Sequence, residues 1–335
     1  MEDTKEHMLN IGVDEQAVYV HRIELKGEAT ERDFYRASYE LLRTLCPDPG
    51  DKVLIKPNVT IPTEPDSGII THPAFVGGIV DYLLEIGVEP GHIAVGEGIG
   101  THVDMTVHFV HGGYEDLATE KGIQLANLNQ DTPMRVHISP DGKPPKELSI
   151  SRMVRGEGRY VINVPKMKTH RLTQTTLCMK NLMGTITPMH LRHLCQQSFP
   201  PDLRSSWSNL TEEDLARWEE RMGEKLSELS CAVQPDLHIV EGVVGREGTG
   251  FRRGRNRPTG LSVAGVNGTA VDAVVTVLMG FDPQQVGYLK KAVEWGLGPT
   301  RLDNIPVFEV QEGEVVPCDI HKLVFDPPFK LIRFG

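Results

Sequence analysis

Lys166, Lys168 and His170 stand directly after an apolar run, Tyr160-Val161-Ile162-Asn163-Val164, and Lys180 and Asn181 follow a little further on. Proline at 165 has no N–H to give a sheet ladder, so the run is expected to end as a strand there. Ammonium groups gathered at a strand end can hold carboxylate or phosphate oxygens, and ligands collect outside the carboxyl ends of strands in open α/β sheets. Imidazole titrates near neutrality and moves protons. A lysine buried beside other cations has a depressed pKa and becomes a base. His170, Lys168 and His72 are therefore the candidate catalytic residues, and Lys56, Asn58, Lys166, Lys180 and Asn181 the candidate substrate-binding ones. Three carboxylates, Glu97, Glu241 and Glu247, are candidates to bind a divalent metal or to tune those bases. A plainer reading stands beside this one: a strand ending in a solvated basic loop, since lysines usually lie exposed.

These residues need elements to place them. A first strand is expected over Ala17–Ile23 and an amphipathic helix over Glu31–Leu45, where Phe34, Ala37, Leu41, Leu42 and Leu45 recur at helical spacing. Lys52–Ile55 reads as a strand leading into Lys56-Pro57-Asn58, and Thr71-His72-Pro73 as a helix start, with proline in the first turn. A strand at His92–Val95 runs into Gly96-Glu97-Gly98-Ile99-Gly100-Thr101-His102, a glycine-rich turn that lets backbone approach a ligand. His102, His108 and His111 follow closely enough for one or two to line the same mouth. Tyr114–Lys121 reads as a helix and Ile123–Leu128 as a strand. Met134–Ile138 and Glu147–Ile150 read as a β-pair. His190 and His193 are three apart, which suits either a ligand pair or a partly exposed helix edge. Thr211 to Asp214 opens a long helix with a capping box.

Leu237–Val240 reads as a strand that ends in an exposed, glycine-rich loop carrying Glu241 and Glu247. Four arginines between Arg252 and Arg257 suit oxyanion recognition or a surface ion-pair network. Asp272 lies near the start of a buried helix, where it complements the helix dipole. A helix from Phe281 to Gly296 and a strand at Ile305–Val310 complete the chain. Alternating strands and helices predict an α/β fold, a mainly parallel, Rossmann-like sheet flanked by helices. Residues 16–335 read as one domain, with two lobes meeting near 150–165 as the alternative, and residues 1–15 as a leader.

The composition narrows the function. Of 335 residues, 46 are acidic and 35 basic, a formal charge of −11 that argues against nucleic acid or an anionic membrane as partner. No apolar run is long enough to span a bilayer. The five cysteines, Cys46, Cys178, Cys195, Cys231 and Cys318, show neither zinc-site spacing nor an iron–sulfur ligand run. Reduced thiols in a cytoplasmic protein are expected.

Taken in order, the loop sequences form a pattern: Ile55-Lys56-Pro57-Asn58, Thr71-His72-Pro73, Gly96-Glu97-Gly98, Asn163-Val164-Pro165-Lys166-Met167-Lys168-Thr169-His170, Met179-Lys180-Asn181-Leu182-Met183-Gly184, Glu241-Gly242 with Glu247-Gly248-Thr249-Gly250, and Ala270-Val271-Asp272-Ala273. Over roughly Val53 to Gly298 this resembles the family called domain of unknown function 362. Its members are largely uncharacterised, and those labelled iron–sulfur proteins carry an added cysteine module that is missing here. The resemblance marks Lys56, Asn58, His72, Glu97, Lys166, Lys168, His170, Lys180, Asn181, Glu241, Glu247 and Asp272 as shared positions, without assigning roles. More faintly, Gly100 to Thr106 is similar to the G-T-H-R-P-x-T segment of nickel-dependent lactate racemases, with Val103 and Asp104 in place of arginine and proline. That likeness hints at proton chemistry for His102. The expectation is an enzyme acting on a small anionic substrate. The alternative is a non-catalytic protein that holds a metal or cofactor, or a redox partner.

Overall fold

The computed structural model describes residues 13–100, 103–191, 211–249 and 253–333. In chain order the elements are β1 (Val18–Arg22), α1 (Glu31–Leu45), β2 (Val53–Pro57), α2 (Pro73–Glu85), β3 (Ile93–Glu97), α3 (Met105–His111), α4 (Tyr114–Lys121) and β4 (Gln124–Asn127). Next come β5 (Pro133–Ile138), β6 (Lys146–Ser151), α5 (Arg152–Arg155), β7 (Tyr160–Val164), β8 (Lys166–His170), β9 (Gln174–Thr176), α6 (Cys178–Asn181) and α7 (Glu212–Val233). The last are β10 (Leu237–Glu247), β11 (Arg255–Gly265), α8 (Gly268–Leu278), α9 (Gly287–Glu294), β12 (Val307–Gln311) and β13 (Glu314–Pro317).

One large sheet has the order β13-β12-β1-β11-β10-β7-β2-β3-β4, with β8 beside β10 and β9 beside β8; β5 and β6 form a separate hairpin. Pairing is parallel from β10 through β7, β2 and β3 to β4, and antiparallel where β11 joins β10 and β1. The sheet is thus mostly parallel and the fold is α/β, as the alternation predicts. Both faces are covered, which is why the strands read as continuous apolar runs. Side chains alternate across the sheet: Val53, Ile55, Ile93 and Val95 pack under α1 and α2, while Leu54, Ala94 and Val161 face α7 and the β5–β6 hairpin. Under β10 and β11, Val240 and Val263 meet α8.

Helix starts follow their sequence signals. Thr211 Oγ1 accepts the Asp214 N–H at 3.1 Å, and Asp214 accepts the Thr211 N–H at 3.1 Å, closing the capping box of α7. His72 caps α2 through its ring: Nδ1 accepts the Ala74 N–H at 3.1 Å, with Pro73 in the first turn.

Two segments differ from expectation. Lys166–His170 is not a loop but the strand β8, almost wholly buried, lying parallel to β10 and antiparallel to β9. The stretch from Glu241 to Glu247 is likewise the second half of an eleven-residue strand, buried rather than an exposed loop. Charge made both look like loops, but Lys166, Glu241 and Glu247 have internal ionic partners and Lys168 has internal hydrogen-bond acceptors. The glycines of β10 make room for neighbours: a Cβ on Gly245 would lie 2.6 Å from Met167 Cε and 2.8 Å from the Phe329 ring. Of the histidines, His108 is buried on α3, while His111 and His190 are exposed. His102, His193, Cys195 and Arg252 lie outside the described residues.

The topology has the kind of switch point at which open α/β sheets collect ligands. From β2 the chain moves outward through β3 to β4, then returns to place β7 on the other side of β2. The order therefore reverses between β2 and β7, and crevices at such switch points open at the carboxyl ends of the strands. Those ends are Lys56-Pro57-Asn58 and Val164-Pro165-Lys166.

Candidate functional site

Around this switch point the structure gathers Lys56, Asn58, His72, Glu97, Lys166, Lys168, His170, Lys180, Asn181 and Glu241. Lys56, at the end of β2, is 1% exposed and puts Nζ 2.6 Å from Glu97 Oε1 at the end of β3. Glu97 also accepts the N–H groups of Val59 (3.0 Å) and Gly98 (2.8 Å), so its charge is fully answered. Lys166 makes a second buried pair with Glu241 and lies over the Phe34 ring, 5.5 Å from its centroid. Burial pulls the Lys166 pKa down, and the Glu241 carboxylate opposes it. His72 stacks on the same Phe34 at 3.9 Å, with Nε2 3.4 Å from Asp66 Oδ1. Because its Nδ1 accepts from Ala74, Nε2 carries the proton. Burial first, then the Lys166 charge, takes the pKa of His72 down to about 4, so the ring is neutral at pH 7.

Lys168 differs from its neighbours. Its Nζ is buried and donates to Asn58 Oδ1 at 2.6 Å and to the Ile69 carbonyl at 2.7 Å, both neutral acceptors. Burial, and then the charges of Lys166, Lys180 and Arg246, lower its pKa to about 7. An ammonium has three N–H donors and an amine two. With two acceptors present, the third tetrahedral position of Nζ holds either a spare proton or a lone pair. That is the arrangement of a group poised to give or take a proton.

His170, at the end of β8, is half-buried and lies 3.2 Å from Lys180 Nζ through Nε2. Its Nδ1 faces the N–H groups of Leu172 and Thr173, and burial, then the Lys180 and Lys168 charges, keep it neutral with a pKa well below the usual value. Lys180 and Asn181 ride on α6, whose position is set by Asp272. That carboxylate accepts the N–H groups of Cys178 (2.7 Å) and Met179 (3.2 Å) and the hydroxyl of Tyr288 (3.2 Å). Burial raises its pKa to about 7, against the pull of those hydrogen bonds.

An amide chain runs through the middle. Asn58 Nδ2 donates to Asn181 Oδ1 (3.1 Å), and Asn181 Nδ2 to Asn163 Oδ1 (2.8 Å). Asn163 Nδ2 then meets the Cys178 carbonyl (3.0 Å) and His238 Nδ1 (2.9 Å). Thr71 ties the two strand ends together, accepting from Asn58 N–H at 3.0 Å and donating to the Val164 carbonyl at 2.8 Å.

The three candidate metal carboxylates are not brought together. Glu97 faces Lys56, Glu241 faces Lys166, and Glu247 lies apart against Arg255, with Arg257 at 3.6 Å and the Lys330 N–H at 3.1 Å. Among the described residues no group of three or more His, Cys, Asp or Glu is arranged to hold a metal ion. A cation at Glu97 or Glu241 would first have to displace an ammonium group. Arg255 and Arg257 act as the ion-pair network, and Arg246, unnoticed in the sequence, enters the lysine cluster from β10, donating to Ser67 O (2.9 Å) and Asn256 Oδ1 (2.7 Å). In the sequence, Phe34 and Asn163 read only as helix and strand positions, and His238 only as part of a strand, not as members of the site. Their roles rest on contacts between residues far apart in the chain, for which the sequence carries no spacing signal.

Fold and site together define an α/β protein with a lysine-rich polar cluster at the switch point of a mostly parallel sheet. The sequence profile of the domain of unknown function 362 matches residues 53–277, and the chain belongs to that family. It is 28% identical over 258 residues to the thylakoid-associated protein sll1697 of Synechocystis, covering 76% of this chain and 71% of that one. Among solved structures, a Thermotoga maritima protein is similar at a TM-score of 0.40 with 14% identity, over 77% of this chain and 61% of the other. No helix among the described residues is long and apolar enough to cross a membrane.

Proposed function

We propose that the protein is an enzyme acting on a small anionic substrate, a carboxylate or phosphate, with Lys168 as the general base. The observation that carries this is the setting of Lys168: a buried amine, bonded to two neutral oxygens and surrounded by cations, with a pKa of about 7. Lys166 and Lys56 are held by their carboxylates and supply a fixed polar frame. Lys180 and His170 stand beside the base, and the cationic surroundings favour an anion arriving at Lys168. His72, a neutral N–H donor aimed at Asp66, orients the Phe34–Lys166 side of the site. No step runs through a metal.

A cytoplasmic setting goes with this reading, supported by the free thiols of Cys46, Cys178, Cys231 and Cys318. The continuous sheet supports treating the chain from residue 16 as one domain. The test follows the isotope-labelled Lys168 Cε resonance, assigned by its loss in Lys168→Met, against pH and against a panel of small carboxylates and phosphates. A midpoint near pH 7 that rises when an anion binds supports the base. A midpoint with the bulk lysines, above about pH 10, overturns it.

A further inference from the structure

Three asparagine side chains stand in line behind Lys168, and their hydrogen bonds all run one way. Lys168 Nζ donates to Asn58 Oδ1 at 2.6 Å, Asn58 Nδ2 to Asn181 Oδ1 at 3.1 Å, and Asn181 Nδ2 to Asn163 Oδ1 at 2.8 Å. All four residues are buried. An amide has an oxygen end that only accepts and a nitrogen end that only donates, so turning one over sets like against like. The line is anchored by groups that cannot turn over. Asn163 Nδ2 donates to the Cys178 carbonyl at 3.0 Å and to His238 Nδ1 at 2.9 Å. Asn181 Nδ2 also faces the carbonyls of Lys56 (3.2 Å) and Pro57 (3.4 Å). Backbone carbonyls accept and never donate. His238 agrees with them: burial takes its pKa down to about 3, so the ring is neutral and Nδ1 turns a lone pair toward the amide.

The direction matters at Lys168. A neutral amine has two N–H donors and one lone pair. Asn58 Oδ1 and the Ile69 carbonyl take the two donors, which leaves the lone pair at the remaining tetrahedral position. With Asn58 turned over, Nδ2 would donate into that lone pair and occupy it. We propose that Asn58 is a positioning residue: the one-way amide line, anchored at the carbonyls of Cys178, Lys56 and Pro57 and at His238, makes it offer only oxygen to Lys168, so that the lone pair is kept for a substrate proton. No proton moves along the amides; they orient. This consequence rests on the reading of Lys168 as a base, whereas the polarity of the line stands on the hydrogen bonds themselves.

The sign of a titration shift reads the polarity. A facing oxygen stabilises the ammonium, so its removal lowers the Lys168 midpoint, whereas removal of a facing N–H raises it. The labelled Lys168 Cε resonance is followed against pH in the wild type, Asn58→Leu and Asn181→Leu. In Asn58→Leu the midpoint is expected to fall by about one pH unit or more, the loss of one hydrogen bond to a charged group. Asn181→Leu spares both contacts of Lys168 but removes the acceptor of Asn58 Nδ2, and its midpoint is expected to fall as Asn58 turns over. A midpoint that rises in Asn58→Leu, or one that stays in place in Asn181→Leu, overturns the proposal. Neutron diffraction from deuterated wild-type crystals decides without any variant having to fold. Deuterons on Asn58 Nδ2 directed at Asn181 are the expected result, and deuterons directed at Lys168 would overturn the line. The two readings fail separately: a wild-type midpoint among the bulk lysines removes the base whatever the deuterons show, and reversed deuterons remove the line whatever the midpoint.

Discussion

At the scale of single residues, the arrangement turns on which buried charges are matched. Lys166 is 1% exposed and Glu241 is fully buried, and each is the other's ionic partner. Removing one member leaves a charge with nothing but a distant Val244 N–H, at 3.5 Å from Glu241 Oε1. Breaking such a pair costs about 3–5 kcal/mol, whereas replacing both members by apolar side chains of similar volume is nearly neutral or stabilising. Lys166→Met should therefore destabilise the protein by about that amount in urea unfolding, and Lys166→Met with Glu241→Leu should recover most of it. Equal losses in the single and double variants would mean that Lys166 matters for its packing on Phe34 rather than for its charge. The same logic isolates Lys168, which has no carboxylate to lose.

At the scale of elements, the site depends on close approach between segments that the sequence separates. The 3-10 turn Leu182–Thr185, just after α6, presses Gly184 onto the ends of β2 and β3. A Cβ there would fall 2.1 Å from Glu97 Oε1 and 2.8 Å from Lys56 Nζ. Neither group can swing into water, so Gly184→Ala must either push α6 away or part the ion pair. Its expected cost is about 1–3 kcal/mol, the range for overpacking a filled interior, together with a shift of the Lys168 titration as Asn181 moves. An Ala variant of wild-type stability with an unmoved titration would mean that the turn has room to relax. Elements whose signal is local were legible in advance. The apolar stripe of α1, the His72-Pro73 start of α2 and the Thr211–Asp214 box of α7 were all read from a few neighbouring residues. β8 and the second half of β10 were not, because Lys166, Lys168, Glu241 and Glu247 are residues that normally seek water. Only their pairing across 75 residues, as for Lys166 and Glu241, makes them strand residues. The candidate site was legible as a set of residue types at strand ends. Which lysine lacks a carboxylate, and that Asp272 holds α6 instead of merely answering a helix dipole, depend on tertiary contacts.

At the scale of the whole molecule, the buried titratable groups make stability depend on pH in opposing ways. Proton binding decides the sign: stability rises with pH wherever the unfolded chain holds more protons than the folded one. His72, at about 4 in the folded protein against an ordinary 6.5, gives stability that rises between those values. Asp272, raised to about 7 from 3.8, binds its proton more tightly when folded, so its contribution falls as pH rises through that window. Above neutrality Lys168 stands out among the groups of the site. Its folded value of about 7 lies below the ordinary 10.5, so between the two pH values the unfolded chain holds the extra proton and stability climbs. The climb relieves a penalty present in full below pH 7, where burial forces a charge into the switch point of the sheet. Lys168→Met removes both the charge and the climb. Urea unfolding of wild type and variant from pH 7 to pH 10 should show the wild type gaining on the variant by up to about 1.4 kcal/mol for each pH unit. Parallel curves would mean that Lys168 titrates alike in both states, and the proposal that Lys168 is a base would fall with that result.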